Sequence, residues 1–329
     1  MKVRWQARGR DAVRRDTVCP GAVRGRRFSN RALILSKSFL LVTLAAALLL
    51  ASCAPSHSDR IVVGSKNFTE SLILGEIMAQ QIEAHTHLKV ERRFYLAGTY
   101  ICQQAVLAGR IDIYPEYTGT AMTAILKKPA NGDEQQVYQR LKSAYEQRFG
   151  LTLGPALGFD DTFAMEIRGA DARRLHITKL SQAAKFTPKW RAGFGYEFME
   201  RPDGYRGLAA AYGLHFAEPP RIMDLGLLAR ALKDRQIDFA AGNTTDGLIP
   251  VFDFFVLEDD LHYFPSYEAV PVIRMQTLQE HPEAGQALAA LAGKISNEEM
   301  QRMNYAVDGQ HRDATVVARE FLRSKGLIQ

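Results

Sequence analysis

From Arg60 onward, short apolar runs alternate with longer stretches of helical periodicity, and this order predicts strands alternating with helices in a mostly parallel sheet. Ile61-Val62-Val63-Gly64 reads as a strand, and Thr69 then caps a helix that turns Leu72, Ile73, Ile77 and Ile82 toward one face. Val90, Arg92 and Phe94 alternate as a second strand ended by Gly98. Residues 101–109 read as helix and lead through Gly109 to the strand Ile111-Asp112-Ile113-Tyr114, which Pro115 stops; a further helix begins near Thr118. At the other end of the chain, Ser296 and Glu299 form a capping box, and Gly326 ends the last helix.

A weak internal echo suggests that the arrangement occurs twice. Leu107–Tyr114 resembles Leu232–Phe239, each a helix end running into an apolar strand. The expected organisation is α/β with two similar lobes, the chain leaving the first near Phe159–Thr162 and returning near Pro265–Glu268. Lobe one would take 61–160 and 268–329, lobe two 161–267, behind a leader of 1–52 and a linker of 53–60.

The leader changes the meaning of the composition. The apolar run Phe39–Ala51 follows a basic segment and ends in Leu50-Ala51-Ser52-Cys53, the layout of a lipoprotein signal with lipidation at Cys53. The run is 13 residues long, whereas a spanning helix needs about 20. The expected location is therefore periplasmic or extracytoplasmic, on a membrane through a lipid anchor. Residues 1–52 hold 11 of the 42 Lys and Arg and only Asp11 and Asp16 of the 36 acidic residues. The remainder, with 31 basic and 34 acidic residues, is mildly acidic and offers no stripe for a phosphate backbone, which argues against nucleic acid. Cys102 is then the one thiol left in the body, so no internal disulfide is expected.

The body shows no nucleophile motif, phosphate loop or metal-ligand spacing, so neither catalytic residues, a metal nor a cofactor is expected. Three other segments stand out. Lys66, in Ser65-Lys66-Asn67-Phe68-Thr69-Glu70, falls at the carboxyl end of a strand beside a helix N-terminus, where open α/β sheets bind ligands. Tyr117 in Tyr114-Pro115-Glu116-Tyr117-Thr118-Gly119-Thr120 sits among hydroxyls at a similar joint. Glu197 and Arg201, four apart, would form an ordinary ion pair on a helix surface.

Taken in order with Asn243-Thr244-Thr245-Asp246-Gly247, Val256-Leu257-Glu258-Asp259-Asp260, Phe264-Pro265-Ser266-Tyr267 and Gly293–Met300, these segments closely resemble the substrate-binding proteins of osmoprotectant ABC importers, which bind glycine betaine, choline or carnitine. The resemblance runs from about Ile61 to Leu327. It implies a two-lobed type II periplasmic binding protein fold with a ligand cleft between the lobes. It also implies an extracytoplasmic, monomeric receptor that hands a quaternary amine or zwitterion to an ABC permease and its ATPase. A quaternary ammonium donates no hydrogen bonds and is held by aromatic faces, while a carboxylate needs cationic or hydroxyl donors. Carried over from the family's pocket, Lys66, Thr120 and Arg201 would hold the anionic end, Tyr117, Phe163 and Tyr267 would surround the cationic end, and Glu197 and Asn243 would stand at the edge.

Two positions depart from the best-known betaine pocket. Phe163 and Asn243 stand where some members have tyrosine, so one aromatic wall loses its hydroxyl and another becomes an amide. The expected ligand is therefore a quaternary-amine zwitterion, glycine betaine or a related osmoprotectant, with a different bulky amine such as a histidine betaine as the alternative. A ligand sensor is the alternative to an importer component.

Overall fold

Two five-stranded sheets carry the chain, and the computed structural model describes residues 59–329. The expected leader, the lipidation at Cys53 and most of the linker lie outside the described residues. Ten strands occur in chain order: β1 Arg60–Gly64, β2 Lys89–Arg93, β3 Ile113–Tyr117, β4 Leu151–Leu153, β5 Phe163–Arg168, β6 Ala192–Phe194, β7 Arg221–Ile222, β8 Phe239–Asn243, β9 Phe254–Leu257 and β10 Ala269–Arg274. The first sheet runs β2-β1-β3-β10-β4 and the second β7-β6-β8-β5-β9. The helices that position the site are α1 Thr69–His85, α2 Thr99–Leu107, α3 Tyr196–Glu200, α4 Leu225–Lys233 and α5 Asn297–Asp308.

The sheets are mixed rather than mostly parallel. β1 is parallel to β2 and β3, but β10 is antiparallel to both its neighbours, and β5 is antiparallel to β8 and β9. β5 and β10 are the first strands after each passage between the sheets, and a chain arriving from the other side enters in the reverse direction. Apolar residues cover both faces of each sheet, as strands buried on two sides require. Phe163 and Phe264 pack against the core of both sheets and so tie the two lobes of the fold together.

Pro115 does not stop its strand. It lies inside β3, opposite Pro271 of β10. Thr118 donates its amide to Glu268 and Arg274 donates to Asp112, which places the even-numbered residues of β3 on the side bonded to β10. Pro115 therefore faces β1, which pairs with β3 only at Ile113, and its missing N–H goes unneeded. Thr69 likewise is not the cap of α1. Phe68 occupies that position, and the Thr69 hydroxyl donates instead to Asp308 at 2.5 Å. The capping box at Ser296 and Glu299 forms as expected.

The internal echo is present, displaced by one residue. Asp112 accepts from the Val62 amide and pairs with Arg274 of β10; Asp238 accepts from the Arg191 amide and pairs with Arg168 of β5. In both sheets an aspartate just before a strand thus clamps a neighbouring strand's amide to an arginine of the return strand.

No helix among the described residues is long and apolar enough to cross a membrane. Cys102 is free and buried, and burial pushes its thiol up to about 12.

Candidate functional site

The carboxyl ends of β1 and β3 and the ends of β5 and β8 face each other across a cavity of about 400 Å³. Lys66, Tyr117, Thr120, Phe163, Glu197, Arg201, Asn243 and Tyr267 all line it, so the eight positions singled out in the sequence gather at one place. Their chain separation shows why the fold matters. Lys66 follows β1, Tyr117 ends β3, Phe163 begins β5, Arg201 follows α3 and Asn243 ends β8.

The aromatic part of the cavity is preassembled. Phe163 meets Tyr267 edge-on at 5.5 Å between centroids and Phe198 at 4.8 Å, while Phe68 stacks near Tyr117 at 6.4 Å. Tyr117 is anchored by its hydroxyl, which donates to Glu70 at 2.6 Å. The Tyr267 hydroxyl donates to Asp203 at 2.7 Å. Held at both the ring and the hydroxyl, these tyrosines lose little freedom when a ligand arrives.

Both cationic side chains already have an internal carboxylate. The Lys66 ammonium is buried against Glu116 and lies 4.8 Å from the centre of the Tyr117 ring. Arg201 is held by Asp203 in a fork, through Nε at 2.9 Å and Nη2 at 2.5 Å, and its Nη1 donates to Thr120 at 3.0 Å. Its guanidinium also lies 5.1 Å from the Phe163 ring centre and 5.8 Å from that of Tyr267. Burial raises the Asp203 carboxyl, but the hydrogen bonds and charge of Arg201 outweigh it and hold Asp203 below the usual range. Each cation keeps unused N–H donors, so both can still bind an anion beyond their fixed partners.

The surface pair expected between Glu197 and Arg201 does not form. Arg201 caps the end of the short helix α3, and its side chain turns inward to Asp203. Glu197 reaches the opposite lobe, where it accepts from the Tyr100 amide at 3.1 Å in the first turn of α2. A carboxylate is favoured there by the free N–H groups and the dipole of the helix.

Sequence reasoning did not single out Glu70, Asp161 or Asp203, which position the lining side chains. Asp161 accepts from the Asn243 amide and from both the amide and hydroxyl of Thr245. The signal lay in the quoted motifs themselves, since buried amides and hydroxyls need acceptors, but spacing does not say which carboxylate supplies them. Burial and then the nearby Asp161 push Glu70 up to about 8. Burial pushes Asp246 up to about 6. The unfolded Glu70 titrates near 4.5, so between about 4.5 and about 8 the folded state holds the extra proton, and raising the pH through that window favours unfolding. The melting temperature should therefore fall from pH 5 to pH 8.5, and Glu70→Gln should flatten the fall. A slope unchanged by the substitution would show that Glu70 does not carry the proton.

Comparison with known proteins places the chain in a family. The family described as the substrate binding domain of ABC-type glycine betaine transport systems matches residues 59–324. The carnitine transport binding protein OpuCC of Listeria monocytogenes is 35% identical over 300 residues, covering 88% of this chain and 96% of that protein. The ergothioneine transport permease/ergothioneine binding protein EgtU of Helicobacter pylori is 35% identical over 290 residues, covering 88% of this chain and 52% of that protein. A crystal structure described as a glycine betaine/carnitine/choline ABC transporter superposes with a TM-score of 0.67 at 32% identity, covering 82% of this chain and all of the other. The two mixed sheets facing each other across an aromatic cleft thus belong to a chain of the substrate-binding family of glycine betaine-type ABC transport systems.

Proposed function

We propose that the protein captures a small quaternary-amine zwitterion outside the cytoplasmic membrane and delivers it to an ABC permease, without transforming it. The observation that carries the reading is the single cavity lined both by the aromatic residues Tyr117, Phe163 and Tyr267 and by the donor-bearing residues Lys66, Arg201 and Thr120. Aromatic faces attract a cation that cannot donate hydrogen bonds, by roughly 0.5–2 kcal/mol for each ring in a desolvated site. Donors on charged groups bind a carboxylate more strongly than neutral ones do. The names of the relatives, carnitine and ergothioneine binders among them, support the same ligand class. Anchoring through Cys53, monomeric action and the partnership with a permease and its ATPase complete the reading.

Thermal-shift screening of residues 53–329 against betaines, choline, carnitine, amino acids and polyamines tests it, because a ligand that binds only the native state raises the melting point. A shift with a quaternary amine that falls at least tenfold in apparent affinity on Tyr117→Ala is the expected outcome. Silence from every quaternary amine, with a shift from another solute, would refute the ligand class.

A further inference from the structure

Two carboxyls and one hydroxyl meet where the two sheets face each other. Glu70 of α1, Asn304 of α5 and Tyr117 at the end of β3 belong to elements packed with the first sheet. Thr245 follows β8 of the second sheet, and Asp161 lies on the passage into β5. All five residues are buried. The Thr245 Oγ lies 2.5 Å from Glu70 Oε2 and 2.6 Å from Asp161 Oδ1, and both are hydrogen-bond distances between oxygens. The hydroxyl has only one hydrogen. With both carboxyls ionised, one of these contacts would press lone pairs together with no hydrogen between them. The junction therefore holds one additional proton, on a carboxyl.

The surroundings say which carboxyl carries it. Asp161 also accepts from the Thr245 and Asn243 amides, and it lines the aromatic cavity, where a cationic ligand favours its ionised form. Glu70 accepts from the Tyr117 hydroxyl at 2.6 Å and the Asn304 amide at 2.9 Å, and lines an adjoining chamber of about 290 Å³. The other titratable or charged groups facing that chamber are Tyr95 after β2, Glu166 of β5, Arg230 of α4, Asp246 after β8, and Asp308 and His311 at the end of α5. Lys66, over the Tyr117 ring, is already paired with Glu116. Carboxylates outnumber cations there, which favours an acid that keeps its proton. Burial and then Asp161 push Glu70 up to about 8. Glu70 thus donates to Thr245, and Thr245 donates to Asp161.

We propose that closure of the two lobes on a ligand takes up one proton at this junction, so that ligand capture strengthens as the pH falls. The inference rests on the cleft being the ligand site, as proposed above. Separating the lobes withdraws the Thr245 hydroxyl from Glu70 and the Thr245 carbonyl from the Asn304 amide, now 3.0 Å away. Glu70 then loses the acceptor for its proton and meets water, where a carboxyl ionises near its ordinary value. The closed form holds more protons than the open one between about 4.5 and about 8. Within that window a rise in pH favours opening, and affinity falls by up to about tenfold per pH unit.

Calorimetry with glycine betaine, choline and carnitine tests the proposal, because none of these probes gains or loses a proton between pH 6 and pH 8. The affinity of a probe that binds should fall at least tenfold across that range. Titrations at pH 7 in two buffers of different ionisation enthalpy should report uptake of close to one proton per ligand. Glu70→Gln puts a neutral donor beside Thr245, so its affinity should change less than twofold over the same range; a merely damaged site would bind more weakly without flattening the profile. Thr245→Val, which removes the hydroxyl between the carboxyls, should abolish the proton uptake, and Thr245→Ser should restore it. Affinity independent of pH, or a pH dependence that persists in Glu70→Gln, would overturn the shared proton and leave the cleft reading standing. Failure of all three probes to bind at any pH would overturn the cleft reading and this inference with it.

Discussion

Arg201→Ala is expected to lower stability by about 3–5 kcal/mol and to weaken ligand binding at least tenfold. The stability loss comes from what is left behind. Asp203 is largely buried, and its acceptors are filled by the Arg201 fork, the Tyr267 hydroxyl and the Thr123 hydroxyl. Without the guanidinium the carboxylate stays buried with two neutral donors and no opposing charge. The binding loss comes from two effects at once: lost donors for an anionic ligand group and a lost tether on Thr120. Arg201→Lys should recover only part of the affinity, because an ammonium cannot reproduce a planar fork to Asp203 and a third bond to Thr120 together. Adding Asp203→Ala to Arg201→Ala separates the contributions. Chemical denaturation should show stability recovering while calorimetry shows affinity still low; a double variant no more stable than the single one would mean that the unpaired charge was not the cause.

Gly119→Ala is expected to be the most damaging conservative change near the cleft. A Cβ at Gly119 would lie 2.5 Å from the Ser266 carbonyl oxygen and 2.7 Å from the Tyr267 ring. A backbone oxygen has nowhere inexpensive to go, and overpacking of this kind typically costs about 1–3 kcal/mol. The displacement falls on the residue before Tyr267 and on Tyr267 itself, so the aromatic wall moves with the backbone. The variant should melt several degrees lower and bind at least tenfold more weakly. Retention of full affinity despite a lowered melting point would show that the wall is not positioned by this contact.

Much of the architecture was legible because it rests on local rules. Ile61–Gly64 is a strand bounded by a loop, Ser296 with Glu299 is a cap, and Lys66 and Tyr117 lie at strand ends where α/β sheets gather ligands. What stayed hidden depended on partners distant in the chain. Pro115 reads as a breaker until β1 is seen to leave its edge unpaired beyond Ile113. Glu197 and Arg201 have the spacing of a helix pair, yet α3 ends before Arg201, and each side chain finds its partner elsewhere. The one-residue offset in the repeat has the same origin: similarity of the helix ends suggested one register, whereas the equivalent clamps of Asp112 and Asp238 set another.

The two passages between the sheets are themselves joined. Asp160 bridges to Glu268, and its carboxylate accepts from the Ser266 hydroxyl and, at 2.6 Å, from the Tyr267 amide. Two extended segments fastened side by side resist sliding and stretching, but they bend together. Relative movement of the two sheets is thereby directed into bending of this joined pair, because its two segments cannot slip past one another. Asp161 and Tyr267, which line the cavity, adjoin the bridged residues Asp160 and Glu268. Whatever fills the cavity therefore touches the joined pair directly, since two of its lining residues belong to or adjoin it.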